Sequence, residues 1–534
     1  MILLWMTDNR ALVSIHPEGE SRRAGFDPSG VVGSLDTFAG KVHVRWVPEA
    51  AVSSLGLVPF FIEFLKVSGR FDAWVADCPL AYTSGNAPRK RDVLGTILLS
   101  VLAGHWRYAH INAIRGDGVN PGLLGMTKVV SEDSVRRAMK ALDEEHSGAW
   151  LKQHLKASYE PLLEEPWALD IDTTVKVLYG HQEDARVGYN PTKPGRPSHA
   201  LHSYFMANVR MVVDVEVQAG NQTASSFAQP ELWVLLDDLK QGGHTPSFLR
   251  GDCGWGTDRA MLGAEQREVP YLFKLKQTSN VQKLLARLFG KDEWVEAGQG
   301  WQGLDTELQL SGWNRKRRVV VLRRPLPEPG EAPKPSRRKA GRRKRKAVGQ
   351  MTLELPEAIY GGVLYEYSVL VTSLSDEVLT LAQHYRDRGD AENNFDELKN
   401  QWGWAGFTTH DSRRCEVMAR ITALIYNWWT IFMRLGIPEK HAEAITSRPL
   451  AMNGIARRTT HANQTTIDIT STHAKASIIG VVLINVSTFL HRIARSAEQY
   501  TQPKRWRLIL SAAFRFFLKG KILGDTLRIA QPSG

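Results

Sequence analysis

Apolar residues recur at helical spacing between residues 89 and 142, where Val93, Leu94, Ile97, Leu98, Val101 and Leu102 predict a packed helical face. A Gly/Pro break over 116–125 ends that stretch. Ser131, followed by Glu132 and Asp133, then opens another helix, with a hydroxyl to cap the first N–H groups and acids at the positive end. Arg136, Arg137 and Lys140 line this second helix. At Trp167 the pattern changes to strict alternation, which sets Trp167, Leu169 and Ile171 on one face of a strand and Ala168, Asp170 and Asp172 on the other. Strand-like runs at 199–207 and 211–218 follow, then a helix over 225–239, a strand over 247–252, a helix over 257–268 and a strand over 271–276. The pattern next lapses into short strand candidates (306–310, 318–322, 351–355 and 365–372). A long helix resumes over 380–401, and helical apolar stretches at 417–435, 478–497 and 506–518 occupy the remainder.

Three strands followed by helix, strand, helix and strand is the order of a ribonuclease-H-like α/β core with a mixed central sheet. The chain therefore divides into a region of unassigned role (1–85), a helical region suited to DNA binding (86–160), the first part of the core (161–280), a β-rich insertion (281–378), the second part of the core (379–436) and a helical region for dimerisation or DNA contact (437–534). The regions before and after the core are expected to be mainly helical. For 86–160, a plain packing domain with a solvated basic face is the alternative.

Composition narrows the class. Of 534 residues, 43% are hydrophobic, enough for real cores, and 68 Lys+Arg against 56 Asp+Glu leave a net charge of +12. A sequence pI near 9.5 makes an acidic polymer, nucleic acid above all, a plausible partner. Cys78, Cys253 and Cys415 can form neither a disulfide framework nor a Cys-rich zinc site, which points to a reducing cytoplasm. The apolar run from Ala476 to Leu490 contains Asn485 and falls short of the ~18 residues a span needs, so no membrane association is expected. The 16 histidines include no H-E-x-x-H set, and no G-x-x-x-x-G-K-[ST] loop is present, so neither zinc nor a nucleotide cofactor is implied. The run Lys334-Pro-Ser-Arg-Arg-Lys-Ala-Gly-Arg-Arg-Lys-Arg-Lys346, which includes Arg342 and Arg343, cannot form a core. It reads as a solvated basic loop whose functional use is salt-sensitive contact with phosphates.

The chemistry sits on carboxylates. Asp172 and Asp252 each close a predicted strand, where open α/β sheets place their ligand sites. Side by side, two such acids need a proton or a cation, and hard oxygen donors without His or Cys favour Mg²⁺, with Mn²⁺ as substitute. On the late helix Tyr385, Arg388, Glu392 and Lys399 fall in one stripe at about 100° per residue, so a third carboxylate and two cations aim at the same place.

Tyr385-x2-Arg388-x3-Glu392-x6-Lys399 matches the YREK signature of bacterial insertion-sequence DDE transposases. Leu169-Asp-Ile-Asp-Thr-Thr174, Gly188-Tyr-Asn-Pro191, Gly195-Arg-Pro-Ser198 and Arg250-Gly-Asp252 resemble one branch of that superfamily. The resemblance implies a catalytic and metal-binding triad of Asp172, Asp252 and Glu392, holding two ions on a ribonuclease-H-like core with a β-rich insertion between the second and third acids. It implies an enzyme that binds the terminal inverted repeats of its element, cuts the DNA and joins the freed 3′-hydroxyl to target DNA, working as a homodimer on double-stranded DNA. Tyr385, Arg388 and Lys399 would contact that DNA. In related enzymes a flipped base rests on an aromatic side chain, for which Tyr385, Trp294, Trp301 and Trp313 are candidates; the alternative for each tryptophan is β-sheet packing. Trp402 and Trp404 are expected to pack the end of the late helix.

Two rival readings stay open. Asp170-Ile-Asp-Thr-Thr174 also fits the D-x-D-x-T nucleophile motif of haloacid-dehalogenase-type phosphatases, with Asp170 attacking phosphate, Asp172 as acid/base and Asp258 nearby as a late acid. The other rival is a DNA-binding regulatory protein that no longer transposes.

Overall fold

A computed structural model describes residues 32–524, apart from 46, 48–49, 83, 192, 327–364, 405, 471–472 and 497–499. The basic run with Arg342 and Arg343 and the strand candidate at 351–355 therefore lie outside the described residues.

The strands, in chain order, are β1 (Val32–Thr37), β2 (Gly40–Arg45), β3 (Val52–Ser53), β4 (Ala168–Val177), β5 (Arg186–Val187), β6 (Pro197–Met206), β7 (Met211–Ala219), β8 (Phe248–Gly251), β9 (Tyr271–Lys274), β10 (Val295–Gly298), β11 (Trp301–Leu308), β12 (Arg317–Pro325), β13 (Tyr365–Thr372), β14 (Ile455–His461) and β15 (Gln464–Thr470). A ten-stranded mixed sheet runs β10-β11-β12-β13-β9-β8-β4-β6-β5, with β7 also paired to β6. Within it β4, β8 and β9 are parallel, each joined to the next through a helix (Ser225–Gln241, then Asp258–Gln266), while β6 and β7 run antiparallel. β8 is buried along its whole length and β4 over its first four residues, because both lie inside the sheet.

The insertion is not a separate β layer. β13 pairs antiparallel with β9, Val371 opposite Phe273, so the inserted strands prolong the core sheet. The sequence could not reveal this because the pairing joins residues about a hundred positions apart. A second correction concerns the flanks. Val58–Ser68, Arg70–Ala76, Lys90–Leu102 and Glu144–Tyr159 are helical as expected, but β14 and β15 form a hairpin, and β14 also pairs with β3. Alternating Thr and Ile suits a strand, and Ala462 and Asn463 turn the chain with positive φ (49° and 60°).

The helix Ser412–Gly436 is the axis of the core. Asp411 caps it by accepting from the Arg413 and Arg414 N–H groups. From Val417 to Met433 every residue is buried, because the helices on both sides of the core and β7 enclose it. Trp429 lies 5.3 Å from Phe61 by ring centroids, and its indole N–H donates to Ser447 Oγ at 2.9 Å. Trp74 stacks on Trp150 at 5.5 Å and meets Trp428 edge-on at 5.7 Å. Residues from both flanks thus share one core with the sheet. Within 86–160 the helix Lys90–Leu102 is buried almost all round, whereas Arg136, Arg137 and Lys140 are exposed on the helix Glu132–Ala141.

The helix Ala476–Arg495 is longer than the apolar run in the sequence suggests. It runs past Leu490 to 20 residues with mean hydropathy 1.6, long and apolar enough to cross a membrane by length and composition. Ile479, Leu483, Val486, Leu490 and Ile493 pack inward, while Ile478, Val481 and Ile484 are exposed.

Removing the indole that ties both flanks to the axis opens a large cavity. Trp429→Ala should lower stability by about 3–5 kcal/mol, read as a shifted denaturant midpoint; a loss below about 1 kcal/mol would show that the aromatic cluster does not join the flanks.

Candidate active site

The parallel register sets Asp170 opposite Arg250 and Ile171 opposite Gly251, so the next step along both strands places Asp172 beside Asp252. Asp252 follows the last residue of β8, as the sequence suggests. Asp172 does not end its strand: β4 continues to Val177 because β6 pairs with it along that whole length. What ends there is the neighbour, and the carboxylate faces the gap. Asp252 Oδ1 accepts from the Gly254 N–H at 2.8 Å, which fixes its rotamer, and Gly251 lets the Trp255 indole lie directly against the backbone.

The late helix is broken. Val378–Arg386 and Arg388–Gln401 are separate elements joined at Asp387, so Tyr385 belongs to the first and Arg388, Glu392 and Lys399 to the second. The stripe survives in part. Arg388, with its side chain only 8% exposed, sits between two acids: Nη2 is 3.3 Å from Asp172 Oδ1 and Nη1 is 3.0 Å from Glu392 Oε1. Its Nε is buried without a hydrogen-bond partner among the described residues. Lys399 lies two turns beyond Glu392, roughly 10 Å along the helix.

Electrostatics ties these groups together. Burial pushes the Asp172 carboxyl up to about 7; Arg388 opposes this, while Asp252 and Glu392 add to it. Burial also raises the Tyr385 phenol, again against Arg388 and with Asp252 and Glu392. The Arg388 guanidinium loses some stabilisation to burial, yet the surrounding acids, Asp172 first, raise it overall. Asp172, Asp252, Tyr385, Arg388 and Glu392 therefore form one electrostatic unit.

Asp170 is not a nucleophile. It is 1% exposed and held by both arms of Arg250, whose Nη2 lies 2.7 Å from Oδ2; Arg250 also donates to the His384 carbonyl. Asp258, on the helix between β8 and β9, accepts from Arg317 Nη1 at 2.7 Å and from the Asn314 N–H, an ion pair that ties the core to the insertion. The acids of the phosphatase reading are thus occupied, and that reading fails. Arg250 is the residue sequence reasoning missed. Its one signal is a charged side chain in the middle of the otherwise apolar strand β8.

The tryptophans divide. Trp313 is buried with Arg317 over its ring, and Trp294 is covered by Arg323 at 3.8 Å. Trp301 is half-buried under Arg324 at 4.9 Å, and Tyr385 packs against the smaller apolar cluster behind the sheet. Trp402 and Trp404 are buried, donating to Glu397 and to the Ala419 carbonyl, as packing of the helix end requires.

Three carboxylates and a raised Asp172 form a donor set suited to a hard divalent cation, which would relieve the repulsion that burial aggravates. Among the described residues no group of three His, Cys, Asp or Glu side chains is close enough to enclose an ion, and Arg388 supplies the positive charge between two of the acids. The chemistry fits, and closing the cage requires the Arg388 pairs to open.

The model of the transposase DDE domain group 1 family matches residues 87–489, three quarters of the chain, and includes all three acids. The protein belongs to this family of transposition enzymes, which generally use divalent metal ions. No curated protein matches the chain. Among solved structures it is similar to the piggyBac transposase in a synaptic complex with hairpin DNA, at 10% identity and a TM-score of 0.37, over 86% of this chain and 85% of that one.

Protons and a divalent cation compete for Asp172. A carboxyl raised to about 7 is mostly protonated below that value, so Mn²⁺ affinity measured by calorimetry should rise as pH goes from about 6 to about 8. Asp172→Asn should weaken binding and flatten this dependence; an unchanged profile would remove Asp172 from the ligand set.

Proposed function

We propose that this protein is a transposase that binds the terminal inverted repeats of an insertion sequence and catalyses metal-dependent DNA cleavage and strand transfer. The observation that carries the reading is the register placing Asp172 beside Asp252, with Glu392 linked to Asp172 through Arg388. The family match and the strand order β7-β6-β4-β8-β9, three antiparallel strands followed by two parallel ones, support a ribonuclease-H-like catalytic core.

Asp172, Asp252 and Glu392 would hold two Mg²⁺ ions, with Mn²⁺ able to substitute. Bound there, the metal would supply activation of the attacking oxygen and stabilisation of the leaving oxygen in an in-line displacement at phosphorus. The chain's own part is positional. Asp252 is pinned by Gly254, Asp172 is set by the strand, and Glu392 rides on a helix that starts afresh after Asp387. Arg388 neutralises the acids in this state, and its two-armed guanidinium becomes available to phosphate oxygens when the carboxylates take other partners. The partners are double-stranded element ends and target DNA, held by a homodimer in the cytoplasm. Arg136, Arg137 and Lys140 offer an exposed basic face to the phosphate backbone. No nucleotide is required, since each step exchanges one phosphodiester bond for another or for water.

Purified protein, Mg²⁺ and a duplex bearing the inverted repeat that flanks the coding sequence test this directly. Nicking at the repeat end is expected; its absence with intact binding would favour the regulatory reading. Asp172→Ala, Asp252→Ala or Glu392→Ala should each reduce nicking by about a thousandfold or more while end binding persists. Arg388→Ala should slow strand transfer or weaken end binding, and unchanged kinetics at every step would exclude it from the site.

A further inference from the structure

The loop between β4 and β6 carries a chemistry the catalytic site does not use. β4 rises ~3.3 Å per residue, so Tyr179 stands roughly 20 Å beyond Asp172 in the direction the strand leaves the site. Tyr179 is 67% exposed and Tyr189 71% exposed, whereas the other tyrosines among the described residues are buried or half-buried. Lys193 Nζ and the Arg196 guanidinium lie 5.1 and 5.4 Å from the Tyr179 ring, and Arg186 is exposed on the same loop.

This arrangement is anchored. A Cβ on Gly188 would come within 2.0 Å of the Gly220 carbonyl oxygen, so the backbones touch there. The loop's acids are exposed but engaged: Glu183 accepts from the Ser412 N–H and hydroxyl, and Asp184 from the same hydroxyl, at the positive end of the axial helix. The Glu183 N–H donates to the His410 carbonyl at 2.7 Å, and Lys176 donates to the Gly406 carbonyl at 2.9 Å. The chain leaving the Glu392 helix therefore runs alongside this loop. With its acids paired to Ser412, and with Lys193 donating to the Tyr179 hydroxyl at 2.5 Å beside the exposed Arg186 and Arg196, the loop presents a positive, aromatic face alongside the segment that follows the Glu392 helix.

We propose that Tyr179, Lys193 and Arg196 form a DNA-binding platform that grips the duplex flanking the scissile bond, cations on backbone phosphates and the ring against the sugar. This rests on the transposase reading and adds a location. At ~3.4 Å per step along a strand, 20 Å corresponds to about six base pairs from the cleaved phosphate.

The full chain and a fluorescein-labelled random-sequence duplex provide the first test. Each phosphate contact contributes about 0.9 to the slope of log affinity against log salt, so Lys193→Ala/Arg196→Ala should lower that slope by about 1.8. On the duplex bearing the terminal repeat, hydroxyl-radical protection about six base pairs from the cut should disappear in the double variant and in Tyr179→Ala, while protection at the cut persists. Tyr179→Phe, which keeps the ring, should retain the protection. A slope and footprint unchanged in the double variant, with wild-type protein binding and nicking normally, would overturn the platform alone. A wild type that neither binds nor nicks the repeat would overturn the transposase reading beneath it.

Discussion

Burial of neighbouring carboxylates governs the structure of this site. Two parallel strands in register bring Asp172 and Asp252 together, and a helix adds Glu392, in surroundings dry enough to push Asp172 up to about 7. Arg388 makes the arrangement tolerable in the state described here, bridging Asp172 and Glu392 with one planar group. An acid whose folded value is raised destabilises the fold progressively as pH climbs from the ordinary carboxylate range toward about 7, since the unfolded chain gives up that proton more readily. A divalent cation placed here would favour the charged form of Asp172 that burial disfavours.

The strand beneath the site shows how function and support are separated. Asp170 and Asp172 share one face of β4 by its period of two, and each has its own arginine. Asp170 meets Arg250 deep in the core, where both arms are engaged and a third contact reaches the His384 carbonyl, locking β4, β8 and the helix Val378–Arg386 into one unit. Asp172 meets Arg388 at the rim, through one oxygen at 3.3 Å, on an element that begins afresh after Asp387. Breaking either pair would leave a buried arginine unpaired, but Asp170 is held through both oxygens and Asp172 through one.

How far the sequence could be read follows from the range of each interaction. Alternation from Trp167 to Asp172 and the fixed spacing from Tyr385 to Lys399 are local, so they exposed the strand and the acids that converge on the site. Pairings between distant residues left no trace. Asp170 and Arg250 are 80 positions apart, and nothing in either segment says that one neutralises the other, which is why Asp170 could pass for a nucleophile. The hairpin of β14 and β15 escaped notice because its Thr-rich strands are largely exposed, and the two isoleucines alternating in β15 are too few to stand out among polar neighbours. The break at Asp387 was hidden because its φ and ψ (−62° and −15°) stay close to helical and Asp387 is neither Gly nor Pro.

The insertion raises the question of how an acid 140 residues downstream of Asp252 can be aimed at it. Length alone is a weak obstacle, since the entropy of closing a loop grows only as the logarithm of its length. Position is the harder requirement, and the sheet meets it. β13 returns to β9 with Thr372 opposite Leu272, Ser373 donates to the Tyr271 carbonyl, and the helix Val378–Arg386 starts a few residues later. Whatever path the chain takes between β12 and β13, it re-enters at a single register beside the strand next to β8. The error in placing Glu392 therefore accumulates only over the short stretch after β13. An insertion that ended as a free domain would leave that helix to find the acids unaided. Extending the core sheet removes that freedom, and it is the reason so distant a carboxylate can belong to the same site.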